Sequence, residues 1–249
     1  MTHWSRIVLS RGASVVCFAA VLAAGLSISA RPALVNEDSR EPQSIVIGFV
    51  GGFIAHDNPV HSEVQLAARL RAEYPTGVYV ETFESYREKK AHQTILKLLD
   101  RNYDGNLTME EKHEARIIIY GHSWGGSESI ALARALAKDG IPVLLTIQVD
   151  SVSKRGINDT TIPGNVAEAA NFYQPHGLIH GDHDIRAADP AHTRIIGNFL
   201  FDYKASSLKC SQYPWYDRIF VKAHTQIECD PTIWTRVEDL IRLQLPPTK

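Results

Sequence analysis

Six consecutive residues, Gly121-His122-Ser123-Trp124-Gly125-Gly126, set a serine between glycines, directly after the apolar run ARIIIY and directly before a stretch of helical periodicity. A serine hydroxyl attacks a carbonyl only when a base takes its proton, and the base must be able to reach it. Glycines on both flanks of a strand–turn–helix corner let helix and strand approach closely and lift the hydroxyl above the sheet edge. The backbone N–H of Trp124 then points to where negative charge develops on the attacked oxygen, aided by the helix N-terminus. The chemistry that suits this corner is acyl transfer through a covalent intermediate on Ser123.

Such a corner needs a sheet on one side and a helix on the other, and the surrounding pattern supplies both. Continuous apolar runs at 44–50 (SIVIGFV), 77–83, 115–120 and 142–149 read as buried parallel strands. Between them, 61–74, 91–99 and 126–138 carry helical spacing, and Gly140 follows the third as a C-terminal stop. Residues 218–222 (RIFVK) read as the last strand. Asp230-Pro231 opens a final helix to about Leu243, with Asp as N-cap and Pro at its first position. Residues 151–215 give no clear pattern. Alternating strands and helices predict an α/β fold: a mostly parallel sheet covered by helices on both faces, three layers in all, as one domain over 44–245.

The G-x-S-x-G corner in this setting resembles the α/β-hydrolase superfamily of lipase-, esterase- and thioesterase-like serine hydrolases, over roughly residues 44–243. The resemblance implies a second oxyanion donor in the loop after an early strand, where Gly51-Gly52-Phe53 stands, so an N–H of Gly52 or Phe53 is expected beside that of Trp124. It also implies the chain order nucleophile, acid, base. His224, between RIFVK and the last helix, is the expected base, on a loop. Two residues compete for the acid. Asp150 ends the strand PVLLTIQV, at the ligand edge of a parallel sheet. Asp184 lies in His180-Gly181-Asp182-His183-Asp184, a segment like the one many superfamily members use. The same histidines and aspartates match no zinc spacing.

A second pattern precedes the serine. Residues 100–111 fit D-x-[DN]-x-[DN]-G-x5-E throughout, and the segment resembles a single EF-hand loop. Asp100, Asn102, Asp104, the Asn106 carbonyl, Thr108 and Glu111 would supply the oxygens that calcium requires, with Gly105 at the sharp turn. No second such loop occurs in the sequence. Calcium is expected to be structural, and catalysis at Ser123 needs no cofactor.

The chain has 249 residues with 44% hydrophobic and 22% charged residues, enough apolar matter to bury a core, and a net charge of −2 offers no basic field for nucleic acid. Residues 1–30 have Arg6 and Arg11 ahead of an uncharged apolar stretch ending in small residues, the layout of a secretory signal, with an uncleaved membrane anchor as the alternative. A polar linker, 31–43, follows. Removing 1–30 takes away two Arg and no acid, which moves the net charge from −2 to −4. It also removes Cys17 and leaves Cys210 and Cys229, which in an exported (periplasmic or secreted) chain suggest one disulfide.

The sequence therefore predicts an exported serine hydrolase that cleaves an ester or thioester of a small or lipid-like acyl substrate. It would meet a membrane only if the leader stays attached. Transfer of the acyl group to an alcohol would use the same residues. The alternative from another class is a non-catalytic calcium-binding or interaction module on a hydrolase scaffold.

Overall fold

Consecutive isoleucines explain the layering. Ile117, Ile118 and Ile119 are all buried, but Ile117 and Ile119 belong to one core and Ile118 to another, as period-two side chains on a strand covered on both faces must. A computed structural model describes residues 44–247. The leader and linker read at 1–43 lie outside the described residues.

In chain order the elements are β1 (Ser44–Phe49), α1 (Ser62–Glu73), β2 (Val78–Phe83), α2 (Glu88–Leu99), α3 (Met109–His113), β3 (Ile117–His122), α4 (Trp124–Lys138), β4 (Val143–Val149), β5 (Thr161–Ile162), β6 (Val166–Tyr173), β7 (Arg186–Ala187), β8 (Arg194–Leu200), α5 (Trp215–Phe220), α6 (Lys222–Cys229) and α7 (Pro231–Arg242). The main sheet has six strands in the order β2-β1-β3-β4-β6-β8, and β5 pairs with β7 apart from it. Every neighbouring pair in the main sheet is parallel. Helices α2 and α4 cover one face through Ile95, Ile130 and Leu136; α1, α6 and α7 cover the other through Leu66, Ile227 and Trp234. The expected three-layer α/β fold is what forms.

The strands read at 44–50, 77–83, 115–120 and 142–149 form within two residues of their expected ends. Helix α7 starts as its sequence requires, with the Asp230 side chain accepting the Thr232 N–H at 2.8 Å and Pro231 in the first turn.

RIFVK is not a strand. Residues 215–220 are helix α5, and the Val221 N–H bonds back to the Asp217 carbonyl. Ile219 and Phe220 are exposed, so this run has no sheet to enter, and a short apolar run does not by itself separate helix from strand. One edge of the sheet is β8, with β6 inside it, both within the stretch that gave no pattern. Their composition explains why. Strand β6 is alanine-rich (VAEAANFY), and β8 carries Gly197 and Asn198 at its centre, residues that are poor strand formers.

Candidate active site

Parallel strands send their carboxyl ends to one edge, and the chemistry gathers there. Ser123 follows β3, Asp150 follows β4, Gly51-Gly52 lies just past β1, and Gln174 follows β6. Ser123 is the residue before α4 and holds φ 55°, ψ −127°, a left-handed conformation that costs a serine energy unless its surroundings impose it. The surroundings do. The Ser123 N–H bonds to the Val149 carbonyl at 3.0 Å, and its carbonyl accepts from Gly126 and Val152. A Cβ on Gly121 would collide with the Gly125 carbonyl, and one on Gly125 would collide with the Phe49 carbonyl. The glycines are thus demanded by backbone-to-backbone packing of α4 on β3 and β1.

His224 Nδ1 donates to Asp150 Oδ2 at 2.6 Å, with both side chains buried. Its ring lies 4.5 Å from that of His122, the residue before Ser123. His224 is in the first turn of α6, not on a loop as the sequence reading had it. The acid beside it is Asp150. Asp184 is exposed, and its segment contributes something else: the Gly181 N–H donates to Asp150 Oδ1 at 2.7 Å. The Gln174 side chain donates to Asp150 Oδ2 at 2.9 Å. Together with His224 these donors fill the carboxylate and fix its plane. Gln174 escaped the sequence reading because the strand that carries it, β6, went unread; a polar residue just past a strand's carboxyl end was the available signal.

The loop after β1 packs on the serine, since a Cβ at Gly51 would stand 3.1 Å from Ser123 Cβ. Gly52 has φ 47°, and the Phe53 ring meets the Trp124 ring edge-on at 5.3 Å. Trp124 is the first residue of α4, whose N–H has no partner within the helix. The N–H groups expected at Trp124, Gly52 and Phe53 therefore come from two segments that both touch Ser123.

Behind this edge lies a group the sequence reading passed over. His61, Glu63, His122 and Glu228 are all buried. Burial drives both carboxyls above the usual carboxylate range and both imidazoles below theirs.

Residues 100–108 join α2 to the short helix α3, which contains Glu111. Asp100 accepts the N–H groups of Asp104 (3.2 Å) and Gly105 (2.9 Å), and Asp104 accepts that of Asn106 (2.7 Å). Gly105 has φ 81°, the left-handed turn the pattern asks for. Leu107 packs against the core. Glu111 turns back to accept the N–H groups of Thr108 (2.8 Å) and Arg101 (2.9 Å), so that it caps α3. Those N–H groups hold the Glu111 carboxyl below its ordinary range.

Cys210 and Cys229 form a disulfide with their Cα atoms 5.8 Å apart. Among the described residues no helix is long and apolar enough to cross a membrane.

No family model matches this sequence, and no curated protein matches it. Among solved structures the chain is similar to a thermostable esterase from Pseudomonas putida, at 11% identity over 87% of this chain and 78% of that one, with a TM-score of 0.44. It is also similar to a dienelactone hydrolase-like promiscuous phosphotriesterase from metagenomic libraries, at 13% identity over 84% and 90% of the two chains, TM-score 0.45. A third likeness is to the RedJ thioesterase of the prodiginine pathway in Streptomyces coelicolor, at 9% identity over 88% and 98%, TM-score 0.39. Overlap at this level carries no information about substrate.

Proposed function

We propose that the chain is an exported serine hydrolase that cleaves an ester or thioester. The observation that carries the reading is the buried 2.6 Å bond from His224 Nδ1 to Asp150, with the His224 ring 4.5 Å from that of His122, the residue before a serine held at φ 55° between a strand and a helix. With Nδ1 committed as a donor, Nε2 of the neutral ring is the acceptor. Ser123 Oγ attacks the acyl carbonyl while His224 Nε2 takes its proton. The oxyanion is held by the N–H of Trp124 and one from Gly52 or Phe53. The intermediate collapses, the leaving alcohol or thiol departs with the proton from His224, and the acyl group stays on Ser123. Water then attacks the acyl-enzyme with His224 as base, releasing the carboxylic acid and restoring the serine.

Exposed apolar surface supports an acyl substrate with a hydrophobic part. Phe53 is 86% exposed beside Trp124, and Trp215, Tyr216, Ile219 and Phe220 are exposed on α5, the helix just before the one that carries His224. The leader composition and the Cys210–Cys229 bridge support export.

The test is intact mass after exposure to a fluorophosphonate. The wild type is expected to gain one adduct, and Ser123→Ala to gain none and to lose at least about 10⁴-fold in ester hydrolysis. A folded wild-type protein that takes no adduct would overturn the reading in favour of a non-catalytic module.

The same reading gives loop 100–111 a structural calcium ion, held by Asp100, Asn102, Asp104, the Asn106 carbonyl, Thr108 and Glu111. A single extracellular-type loop binds at about 10⁻⁴–10⁻³ M. Calcium at ~10 mM should then add about 1.4–2.7 kcal/mol by mass action. That is a rise in Tm of about 3–10 °C for a chain of this size. Glu111→Gln, which keeps an oxygen to cap α3, should abolish the rise; a wild-type Tm indifferent to calcium would remove the ion from the reading.

A further inference from the structure

His61 is the residue before α1, Glu63 lies in the first turn of that helix, and Glu228 is the next-to-last residue of α6. They are 8%, 0% and 6% exposed, and ligand atoms from all three lie within 4.8 Å of one another. His61 Nδ1 is 2.5 Å from Glu228 Oε1. From the other side His122, the last residue of β3 and 3% exposed, brings its Nδ1 to 3.5 Å from Glu228 Oε2 and 3.7 Å from Glu63 Oε1.

This assembly lacks a cation. Among the described residues the ion-pair partners of Glu63 and Glu228 are these histidines, and no Lys or Arg pairs with either. The other groups around the cluster are Tyr213, whose ring lies 5.4 Å from that of His61, His224 beyond His122, and the acid Asp217. Neither oxygen of Glu63 accepts a hydrogen bond of normal geometry, although the side chain is wholly inside the protein. The backbone N–H groups of Glu63 itself and of Gly51 are the donors near it, and a buried carboxylate held only so loosely is costly; such groups are paired or bound to metal. Two carboxylates and two imidazoles form a mixed oxygen–nitrogen set. Calcium and magnesium prefer oxygen alone, whereas zinc takes both, and at bond lengths of about 2.0–2.1 Å a tetrahedral ion holds its ligand atoms ~3.3 Å apart. The separations of His122 Nδ1 from the two carboxylates are close to that spacing.

We propose that His61, Glu63 and Glu228, with His122 as fourth ligand, form a buried site for one divalent transition-metal ion, zinc fitting best. The ion neutralises both carboxylates and ties together α1, β3 and α6. Its role is structural, with a consequence for the serine site. His122 precedes Ser123 in the chain, and Glu228 lies one helical turn beyond His224 on α6. One ion thus fixes the strand end that carries the nucleophile relative to the helix that carries the imidazole.

The test is metal content and cobalt spectroscopy on the purified protein. After incubation with zinc and dialysis into metal-free buffer, the wild type should retain about one zinc per chain. Cobalt(II) in the same site should give the visible bands of a four-coordinate ion without a thiolate charge-transfer band. His61→Ala and Glu63→Gln should lose both signals, and Glu111→Gln in the calcium-type loop should keep them. Should those two variants fail to fold, X-ray absorption on the wild type decides instead, with a nitrogen/oxygen first shell and imidazole outer scattering expected. A wild-type protein that retains no transition metal, or a first shell containing sulfur, overturns the proposal and leaves two glutamates sharing a proton. Fluorophosphonate labelling reads Ser123 separately, so failure of the metal site and failure of the hydrolase reading are distinguishable.

Discussion

Asp150→Asn is expected to lower kcat by about 10⁴-fold with the fold intact, while Asp184→Asn leaves it within about twofold. The argument is about proton placement. Asp150 accepts from His224 Nδ1, from the Gln174 side chain and from the Gly181 N–H. An asparagine has one acceptor oxygen and a donor amide. The backbone N–H groups of Gly181 and Gln174 both point to the Oδ1 position and hold the oxygen there, so the amide nitrogen takes the Oδ2 position and faces His224 Nδ1. Two donors cannot face each other, so the imidazole moves its proton to Nε2, the atom that must receive one from Ser123. The ring stays in position and loses its function as a base. Burial adds to the loss, because no water reaches Asp150 to relieve the mismatch. The measurement is kcat on a p-nitrophenyl ester, with circular dichroism to confirm folding. Equal losses in the two variants, or a loss only in Asp184→Asn, would reassign the acid.

The reach of the sequence divides along physical lines. Strands β1, β3 and β4 are buried on both faces, so their composition is largely apolar and their boundaries stand out. The serine corner was legible because backbone packing admits only glycine at Gly121 and Gly125, and that constraint leaves its mark on residue type. Asp150 and Asp184 stayed level in the sequence, because what sets Asp150 apart is its contact with a histidine 74 positions away, and no local pattern encodes that contact. The same holds for Gln174 and for the His61–Glu228 pair, separated by 167 positions. His224 was singled out by chain order, while its setting was misread: RIFVK has strand-like composition, yet Pro214 starts a helix there and β8 already occupies that edge of the sheet. Strands β6 and β8 were lost because alanine, glycine and asparagine carry little strand signal, although pairing of β6 to β4 and of β8 to β6 stabilises them in the folded sheet.

Cys229→Ser should lower Tm by about 6–12 °C, from a loss of about 3 kcal/mol for opening a loop of this length in a chain of this size. The bridge joins positions 19 apart, and its two ends differ in what else holds them. Cys210 lies in an irregular segment and adopts φ 45°, a conformation unfavourable for a residue with a side chain. Cys229 ends α6, a helix of eight residues with no side-chain cap at its start, too short to persist without tertiary contacts. Those contacts include the Gln226 side chain on the Leu208 carbonyl, Glu228 on His61, and the bridge itself. All three act on the helix that presents His224, so reduction should affect catalysis before it unfolds the chain. At a temperature well below its lowered Tm, the variant is expected to keep the fluorophosphonate adduct, form it more slowly, and show a fall in kcat. If Tm drops as expected while the labelling rate stays at the wild-type value, the bridge stabilises the fold without positioning His224, and the contacts of Gln226 and Glu228 suffice to hold the imidazole in register with the serine.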